Sequence, residues 1–187
     1  MDADHRDEQI LIARAITGDK AAFGTLYDRY FAQIFRYLQV RCGNVQDAED
    51  LAENVFIMAW EKLPSFKSRR GQFFFRAWLF RIGHNMMIDR FRKGNREDSI
   101  EEMHGLPTQP TRIEEGIVGR EVEGRMLEAI NSLDERAQQV ITARFVSGLT
   151  HEETAHMLQT SAGNVRIIQF RALKQLKQIL MDDETDE

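Results

Sequence analysis

The chain has 187 residues, of which 42% are hydrophobic, and its formal net charge at pH 7 is only -5. This length allows one sizeable core or two small ones, and the charge excludes an overall positive balance as the basis of nucleic-acid binding. The single cysteine, Cys42, excludes an internal disulfide, and its place in an apolar helical run favours a buried structural thiol in a reducing cytosol.

The N-terminal segment and the apolar runs bear on location. The first eight residues are acidic where a signal peptide would be basic. No apolar run approaches the roughly 18 residues that a membrane span needs. We therefore expect a soluble, cytoplasmic protein without membrane insertion.

Four amphipathic helices are predicted in the first half of the chain, because apolar residues recur there at spacings of three and four. Gly18 and Asp19 close the first helix, and Pro64 stops the third. In chain order, these helices span 8–17, a stretch that includes Phe23 and ends at Arg41, 47–63, and about 73–93.

The periodicity fails between Gly94 and about Glu114, where two glycines and two prolines break any helix, so we place a domain boundary there. Helices resume from about 115 to 131 and from 134 to 146, and the acidic residues 182–187 are expected to be disordered. No useful length alternates with a period of two. The predicted fold class is therefore all-α, with two small helical domains joined by a flexible linker.

The charge changes sign near the predicted boundary. Residues 66–96 hold nine Lys or Arg residues against one acid, Asp89, a net charge of +8. Residues 97–123 hold eight acids against two arginines, a net charge of -6. Such a change indicates a nucleic-acid-binding face followed by a segment with a different role.

Aromatic and basic side chains are interleaved along the fourth predicted helix. They are Phe73, Phe74, Phe75, Trp78, Phe80 and Phe91 with Arg76, Arg81, Arg90, Arg92 and Lys93. This composition suits opened DNA, because unstacked bases lie on rings and phosphates meet cations. The alternative is that Trp78 and one or two of the phenylalanines belong to the core. Three consecutive phenylalanines cannot all point inward from one turn, so at least one is expected to be exposed or to face a partner.

Residues 149–180 predict two short helices joined by a tight turn, the pattern of a helix-turn-helix. Thr150 and Glu153 form a capping box at the start of the first helix, and Ser161 is a good N-cap for the second. Gln159 lies in the turn, where a left-handed residue, usually glycine, is expected, at a cost of about 1 kcal/mol or more.

The second helix of this motif has an apolar inner face and a basic outer face without acids. The apolar residues that recur at helical spacing are Val165, Ile168, Ala172, Leu173, Leu176 and Leu180. The opposite face carries Arg166, Phe170, Lys174 and Lys177. Arg166 and Arg171 are candidates for contacts with guanine and phosphate, because a recognition helix meets base edges at its N-terminal end. An amphipathic helix with a solvated basic face is the alternative.

No catalytic or metal-binding constellation is predicted. His151 and His156 resemble a zinc-protease signature, but they are five residues apart rather than four and therefore diverge by roughly 140° around a helix. The sequence has no glycine-rich phosphate loop and no Ser or Cys in a recognisable nucleophile context. We therefore expect a protein that is not an enzyme, with no cofactor, no metal and no small-molecule substrate.

Three groups of residues, taken together and in this order, resemble those of a known family. They are Asp47-Ala48-Glu49-Asp50-Leu51 with Phe56 and Trp60, then Arg76-Ala77-Trp78-Leu79-Phe80-Arg81-Ile82 with Asn85, Ile88 and Asp89, then the C-terminal helix-turn-helix. Over about residues 8–180 the chain resembles an extracytoplasmic-function sigma factor of the sigma-70 family.

The resemblance implies a subunit that gives bacterial core RNA polymerase its promoter specificity. It implies sigma region 2 in 1–93, a linker in 94–114, sigma region 4 in 115–181 and an acidic tail in 182–187. Region 2 would bind the core enzyme and capture the opened minus-ten element of promoter DNA, and region 4 would read the minus-thirty-five element as duplex. Most members are held inactive by an anti-sigma factor, so a further protein partner is expected.

The resemblance also implies roles for individual residues of this chain. Core polymerase binding is implied for Asp50, Glu53, Asn54, Ile57 and Trp60. Binding of the minus-ten element is implied for Arg69, Arg70, Phe74, Arg81, Asn85 and Arg90, with Asn85 helping to capture a flipped base. Binding of the minus-thirty-five element is implied for Arg166, Ile167, Phe170, Arg171 and Lys174.

Two pairs of residues depart from the family's pattern. Members commonly carry Gln-Glu where this chain has Glu53-Asn54, and Ser and Arg are frequent where it has Ile167 and Ile168. Ile168 fits the core, whereas Ile167, beside Phe170, is placed to meet thymine methyl groups in the major groove. We hypothesise a minus-thirty-five preference that involves a thymine contact.

Two other classes of protein compete with this interpretation. A self-sufficient helix-turn-helix regulator with an N-terminal sensor domain would explain 133–180 but would leave the aromatic and basic fourth helix unexplained. A helical enzyme or metal protein has no constellation of residues to support it. Salt-sensitive operator binding without polymerase would favour the first class, and a bound metal the second.

Overall fold

The structure, a computed structural model, describes residues 3–67, 74–97 and 117–183. Side chains are described for 6–67, 74–92 and 124–181. Within these ranges no strand occurs, in agreement with the all-α prediction, and no helix combines the length with the apolar composition that a membrane crossing requires. In chain order, the α-helices are α1 (Ala3–Ile16), α2 (Lys20–Cys42), α3 (Val45–Lys62), α4 (Phe75–Glu97), α5 (Ile117–Asn131), α6 (Glu135–Ile141), α7 (His151–Met157) and α8 (Ala162–Asp183).

Capping side chains determine where α2 and α3 begin. The Asp19 carboxylate accepts hydrogen bonds from the backbone N–H groups of Ala21 and Ala22, each at 3.0 Å. Asn44 caps α3 in the same way. Between the two helices Gly43 has a φ of 66°, a left-handed conformation that glycine adopts without steric cost. The left-handed Gly43 and the Asn44 cap therefore determine where the chain turns between α2 and α3.

Two shorter helical segments complete the described fold. A 3₁₀ turn, Leu63–Ser65, follows α3, and a π-helical segment, Thr142–Val146, follows α6. The prediction of one continuous helix over 134–146 is therefore wrong in its last turn. There the backbone N–H of Ser147 donates to the Thr142 carbonyl, five residues back, at 3.1 Å. Such single π-helical turns are rare interruptions of an α-helix, and the apolar spacing here did not predict one.

Two predicted helix ends are also wrong. The glycines and prolines of the predicted linker place an end at Gly94, yet α4 continues to Glu97. A glycine costs only about 1 kcal/mol in a helix and does not stop one that its neighbours favour. At the other end of the chain, Asp182 and Asp183 belong to α8 rather than to a disordered tail. The rest of that tail, 184–187, and most of the predicted linker lie outside the described residues.

Helices α1 to α4, which we term the first unit, surround an aromatic core. Tyr37, Phe75 and Phe80 have no exposed surface, and the ring of Phe80 meets that of Tyr37 edge-on with centroids 5.4 Å apart. Cys42 is buried, as predicted. Burial raises the pKa of its thiol to about 11, so the sulfur is protonated and unreactive at neutral pH.

Helices α5 to α8, the second unit, have smaller aliphatic cores. One lies between α5, α6 and α8 and consists of Ala129, Ile130, Leu133, Ala137, Ile141, Ala172 and Leu176. Another joins α7 to α6 and α8 through Val140, Ala155 and Val165. The helix-turn-helix is therefore supported from behind by α5 and α6.

The two units meet along a seam, at which α7 packs on α4 and the π-helical segment packs on α2. Ala143, Leu149 and Met157 of the second unit are buried in the core of the first. Across the same seam, the Arg41 guanidinium of α2 donates to the Gln138 side-chain oxygen of α6. The core of the first unit is thus completed by side chains from the second.

Some buried polar atoms at or beside the seam have no hydrogen-bond partner among the described residues. They are Nε of Arg41, Oγ1 of Thr142 and Oγ of Ser147. A buried polar atom without a partner costs about 1–3 kcal/mol. The seam is therefore held together by apolar packing and a few strong polar contacts, not by a complete polar network.

Candidate nucleic-acid interface

The helix-turn-helix has the start signals and the turn that its sequence predicts. The Thr150 hydroxyl accepts from the backbone N–H of Glu153 at 3.1 Å, and the Glu153 carboxylate accepts from the N–H of Thr150 at 2.7 Å. The Ser161 hydroxyl accepts from the N–H of Asn164 at 3.1 Å at the start of α8. Gln159 has a φ of 53°, so the predicted left-handed residue in the turn is confirmed.

The inner face of α8 packs on the other helices of the second unit, except at Leu173. Val165, Ala172 and Leu176 are buried, and Ile168 is half-buried against the same cores. Leu173, which the spacing placed among them, is 41% exposed. At about 100° per residue it lies on the flank of the helix rather than on the inner face.

The outer face of α8 presents every residue predicted to bind the minus-thirty-five element. All of them are exposed: Arg166, Ile167, Phe170, Arg171 and Lys174. No Asp or Glu occurs in α8 before its last two residues. Arg166 pairs with Glu152 of α7 at 3.2 Å, with more than half of each side chain exposed. Such a surface ion pair is worth about 0–1 kcal/mol, so a phosphate or base edge can replace it.

Most aromatic side chains of α4 belong to the core, the alternative raised from the sequence. Phe75, Trp78 and Phe80 are buried, whereas Phe91 is partly exposed. Phe73 lies outside the described residues. The bases of opened DNA therefore cannot stack on most of these rings.

Phe74, directly before α4, faces the second unit instead of the core. Its ring stacks on that of His156 of α7, with centroids 5.0 Å apart and an angle of 24° between the planes. The sequence predicted that at least one of the consecutive phenylalanines would be exposed or would face a partner. Phe74 instead faces another part of the same chain, helix α7. Phe74, which the family resemblance implies in binding the minus-ten element, is half-buried against the helix-turn-helix.

Arg76 ties α4 to the second unit, a role that the sequence did not indicate. Its guanidinium donates to the Ser147 carbonyl, to the Gly148 carbonyl at 3.2 Å and to the Gln33 side chain at 2.9 Å. It also lies 3.5 Å from the Glu153 carboxylate, the one that caps α7. From the sequence, Arg76 was one cation among several and the first residue of a family motif; its link to the second unit had no local signal, because its partners are distant along the chain.

The other residues predicted to bind the minus-ten element differ in how exposed they are and in whether they form an ion pair. Asn85 is exposed and lines a cleft of about 340 Å³ between α4 and the second unit, which Arg136 and Gln159 also line. Arg81 is half-buried on the same helix, four residues before Asn85. Arg90 forms an ion pair with Asp47 of α3. Arg69 and Arg70 lie outside the described residues.

The histidines of the described part do not form a metal site. The Nε2 of His151 lies 3.1 Å from the Gln169 side-chain oxygen, and His156 stacks on Phe74. His84 is buried on α4, and its Nδ1 lies 3.0 Å from the Tyr37 hydroxyl. Burial lowers the pKa of His84 to about 4, so its ring is neutral. No group of three potential metal ligands lies together among the described residues.

The residues predicted to bind core polymerase form one continuous surface on α3. Asp50, Glu53, Asn54 and Ile57 are exposed, and Trp60 is half-buried at the end of the row. Ile57 is 59% exposed and, together with the ring of Trp60, gives this surface an apolar centre.

An apolar groove, which the sequence did not indicate, adjoins this surface. Its cavity is about 470 Å³ and is lined by Phe23 and Tyr27 of α2 together with Phe56, Ile57 and Trp60 of α3, with Glu53 and Glu61 at the rim. The rings of Phe23 and Trp60 form its wall, with centroids 5.0 Å apart. An apolar groove with an acidic rim suits a helix that carries apolar and basic side chains.

Comparison with known proteins places both units in one family. The model of Sigma-70 region 2 matches residues 26–97, and that of Sigma-70, region 4 matches residues 129–178. The ECF RNA polymerase sigma factor BldN of Streptomyces coelicolor is 30% identical over an alignment that covers 97% of this chain and 69% of BldN. The RNA polymerase sigma factor NccH of Alcaligenes xylosoxydans xylosoxydans is 32% identical, over 95% of this chain and 96% of NccH.

A solved structure agrees with these relatives. The structure of CnrH in complex with the cytosolic domain of CnrY aligns with a TM-score of 0.72 and 27% identity, and covers 95% of this chain and 99% of the matched chain. Together the matches define a class of protein, the transcription initiation factors that confer promoter specificity on bacterial RNA polymerase. The chain belongs to the sigma-70 family, in its extracytoplasmic-function group.

Proposed function

We propose that this sigma factor binds its partners through three separate surfaces. The acidic face of α3 and the adjoining groove bind core RNA polymerase, the exposed side of α4 binds the opened minus-ten element, and the outer face of α8 binds the minus-thirty-five duplex. The division is region 2 up to the end of α4, a linker, region 4 with helices α5 to α8, and an acidic C-terminal tail after α8. The protein acts in the cytoplasm and is not an enzyme.

The outer face of α8 is the observation that carries this proposal. It combines four exposed cations, Arg166, Arg171, Lys174 and Lys177, with two exposed apolar residues on a helix that follows a tight turn. Cations at such a position meet phosphates and guanine edges, and apolar groups meet thymine methyl groups. Because α8 has no Asp or Glu before its last two residues, the local potential stays positive although the whole chain is acidic.

The surface on α3 supports polymerase binding through a different chemistry. It is acidic and apolar, so it suits a protein partner and repels DNA. Ile57 and the ring of Trp60 supply the apolar centre, and Asp50 and Glu53 supply charge beside it. Truncating Ile57 is expected to weaken core binding without changing the affinity of region 4 for duplex DNA.

Binding of the minus-ten element rests on Asn85 and on the cations of α4. Asn85 is exposed, and its amide can both donate to and accept from a base edge. Phe74 becomes available for stacking only when His156 moves away from its ring. Extruding a base from the duplex costs a few kcal/mol, which binding to polymerase must help to supply.

Control by an anti-sigma factor is part of the proposal. The related CnrH is solved with the cytosolic domain of a second protein, CnrY. In this chain the seam brings α4 and α7 together, so a partner that spans both units can hold the α4 face closed.

Run-off transcription with purified bacterial core polymerase, with and without this chain, on a pool of genomic promoter fragments tests the proposal. Specific transcripts are expected that disappear with Asn85→Ala and with Arg166→Ala. Arg36→Ala, which removes an exposed arginine from α2, is the matched control and should leave the transcripts in place. Absence of core binding and of any transcript would favour the self-sufficient helix-turn-helix regulator instead.

A further inference from the structure

We propose that Gly163, Ile167 and Phe170 form a close-fitting apolar surface on α8 that reads the 5-methyl groups of thymine, and that Ile167 sets this preference. The inference rests on the proposed role of α8 in binding the minus-thirty-five duplex. It goes further by adding Gly163 to this surface and by naming Ile167 as the residue that determines the specificity.

The three residues share the side of α8 that points away from the protein. They are spaced by four and by three, so they lie on one face of the helix. The buried residues Val165 and Ala172 lie on the opposite face. Ile167 is 52% exposed and Phe170 is 72% exposed, so neither contributes much to the cores of the chain. Two adjacent apolar side chains in this position can be shielded from water only if an external partner binds over them.

The nearest polar side chains either point into the protein or lie at the edge of this face. Gln169 is half-buried, and its side-chain oxygen accepts from Arg144 at 3.1 Å and lies 3.1 Å from a ring nitrogen of His151. Arg166 is paired with Glu152 at the edge of the face. The centre of the outer face is therefore apolar. In the major groove thymine alone presents a methyl group, so an apolar centre discriminates thymine from the other bases.

Gly163 provides an independent observation. A Cβ built at this position would have its closest neighbour, the Ser161 hydroxyl, at 3.9 Å, which is ordinary contact distance. The backbone there is helical with no positive φ, so alanine would fit the chain's own structure and would favour the helix. No contact among the described residues explains why this position lacks a side chain. It leaves the backbone bare one turn before Ile167, where a duplex can approach closely.

The test uses the full chain assembled with core polymerase and promoter duplexes recovered from the run-off pool. Each thymine of the minus-thirty-five element is replaced singly by deoxyuridine, which lacks only the 5-methyl group. At one or more positions we expect an affinity about fourfold lower, the effect of leaving one methyl group in water. Ile167→Ser should abolish this uracil penalty at its position, whereas Ile167→Val, which keeps a branched apolar group, should retain a penalty.

Gly163→Ala tests the close approach separately, because its two expected effects have opposite signs. The variant should raise the thermal unfolding midpoint of the chain and lower the affinity of the holoenzyme for the promoter. A variant that is more stable and binds equally well would overturn the role of Gly163.

The remaining outcomes separate the inference from the function on which it rests. If the holoenzyme binds and transcribes specific promoters but no deoxyuridine changes affinity, the inference is overturned and the proposed function stands. A uracil penalty that survives both Ile167→Ser and Phe170→Ala also overturns it. If no promoter is bound specifically, the proposed function fails and the inference fails with it.

Discussion

The two helices proposed to contact DNA differ in what covers them. The outer face of α8 is open, and its one ion pair, between Arg166 and Glu152, is exposed and weak. On α4 the Phe74 ring lies against His156, and Arg76 is held by carbonyl groups and a carboxylate of the second unit. A duplex can therefore reach α8 without any change in the protein, whereas a base can replace His156 on the Phe74 ring only after that contact opens.

The difference has a physical origin in α7, which has two contact faces. Ala155 packs toward α6 and α8 and supports the recognition helix. Met157 enters the core of the first unit, and His156 and Glu153 meet α4. One seven-residue helix thus stabilises one reading face from behind and covers the other. The following variants test whether this contrast holds.

Leu149→Ala should have the largest effect on the covered face. Leu149 comes from the second unit, has no exposed surface and packs in the core of the first unit. Its truncation is expected to lower the free energy of unfolding by about 2–5 kcal/mol, measured by urea denaturation. Phe170→Ala, on the open face, should change it by less than about 0.5 kcal/mol. Equal effects of the two variants would show that the seam does not form in solution.

Acid should destabilise the first unit through His84, which is buried beside Asn85 on α4. Burial and the nearby Arg41 charge lower the pKa of His84 to about 4, whereas an unfolded histidine titrates near about 6.5. The unfolded chain binds the proton more readily than the folded chain does. The free energy of unfolding is therefore unaffected by His84 above about pH 6.5, and it falls by up to about 3 kcal/mol as the pH decreases toward about 4.

The measurement for His84 is the unfolding free energy as a function of pH. Carboxylates contribute to the same acid range, so the informative quantity is the difference between the wild-type chain and His84→Gln. The variant should show a shallower loss between pH 6.5 and 4. Parallel curves for the two proteins would contradict the role assigned to the buried ring.

Arg76→Ala should loosen the covered face alone. It removes charge-assisted hydrogen bonds to the Ser147 and Gly148 carbonyls, and the expected loss of stability is about 1.5–3 kcal/mol. Hydrogen exchange of the α7 backbone should become faster. Arg36→Ala removes an exposed arginine of α2 and should leave both quantities near their original values. Arg76→Lys is expected to restore little, because an ammonium group cannot reproduce the planar fork of donors.

Gln159→Gly should have the smallest effect and the opposite sign. Gln159 has a φ of 53°, where a side chain is strained and glycine is not. The replacement is expected to raise the stability by about 1 kcal/mol, seen as a higher urea midpoint. Gln178→Gly, at an exposed helical position of α8, is the matched control and should lower it by about 1 kcal/mol. A shift of the same sign in both variants would rule out strain at the turn.

The parts of the molecule that the sequence predicted correctly depend on neighbours a few residues apart. The capping box of Thr150 and Glu153, the start of α8 after Ser161 and the left-handed Gln159 each involve residues within one turn. The periodicity also predicted which side of α8 faces outward, because burial repeats with the helix. The family and its two matched regions followed from such motifs and their order.

The errors came from signals that are weak on a local scale. Gly94 predicted a helix end that the chain does not have, and the apolar spacing gave no sign of the π-helical turn that starts at Thr142. The aromatic composition of α4 indicated base stacking, yet Phe75 and Phe80 fill the core. Composition cannot distinguish a buried ring from an exposed one without the packing around it.

Only the tertiary structure showed that the two units share a seam and that one reading face is covered. The contacts responsible join residues far apart in sequence: Arg76 and Ser147 are 71 positions apart, and Arg41 and Gln138 are 97 apart. Caps, turns and helix faces are set by hydrogen bonds and periodicity over a few residues, so the amino-acid order is enough to predict them. A contact between distant helices depends on how whole apolar surfaces fit, and no local pattern contains that information.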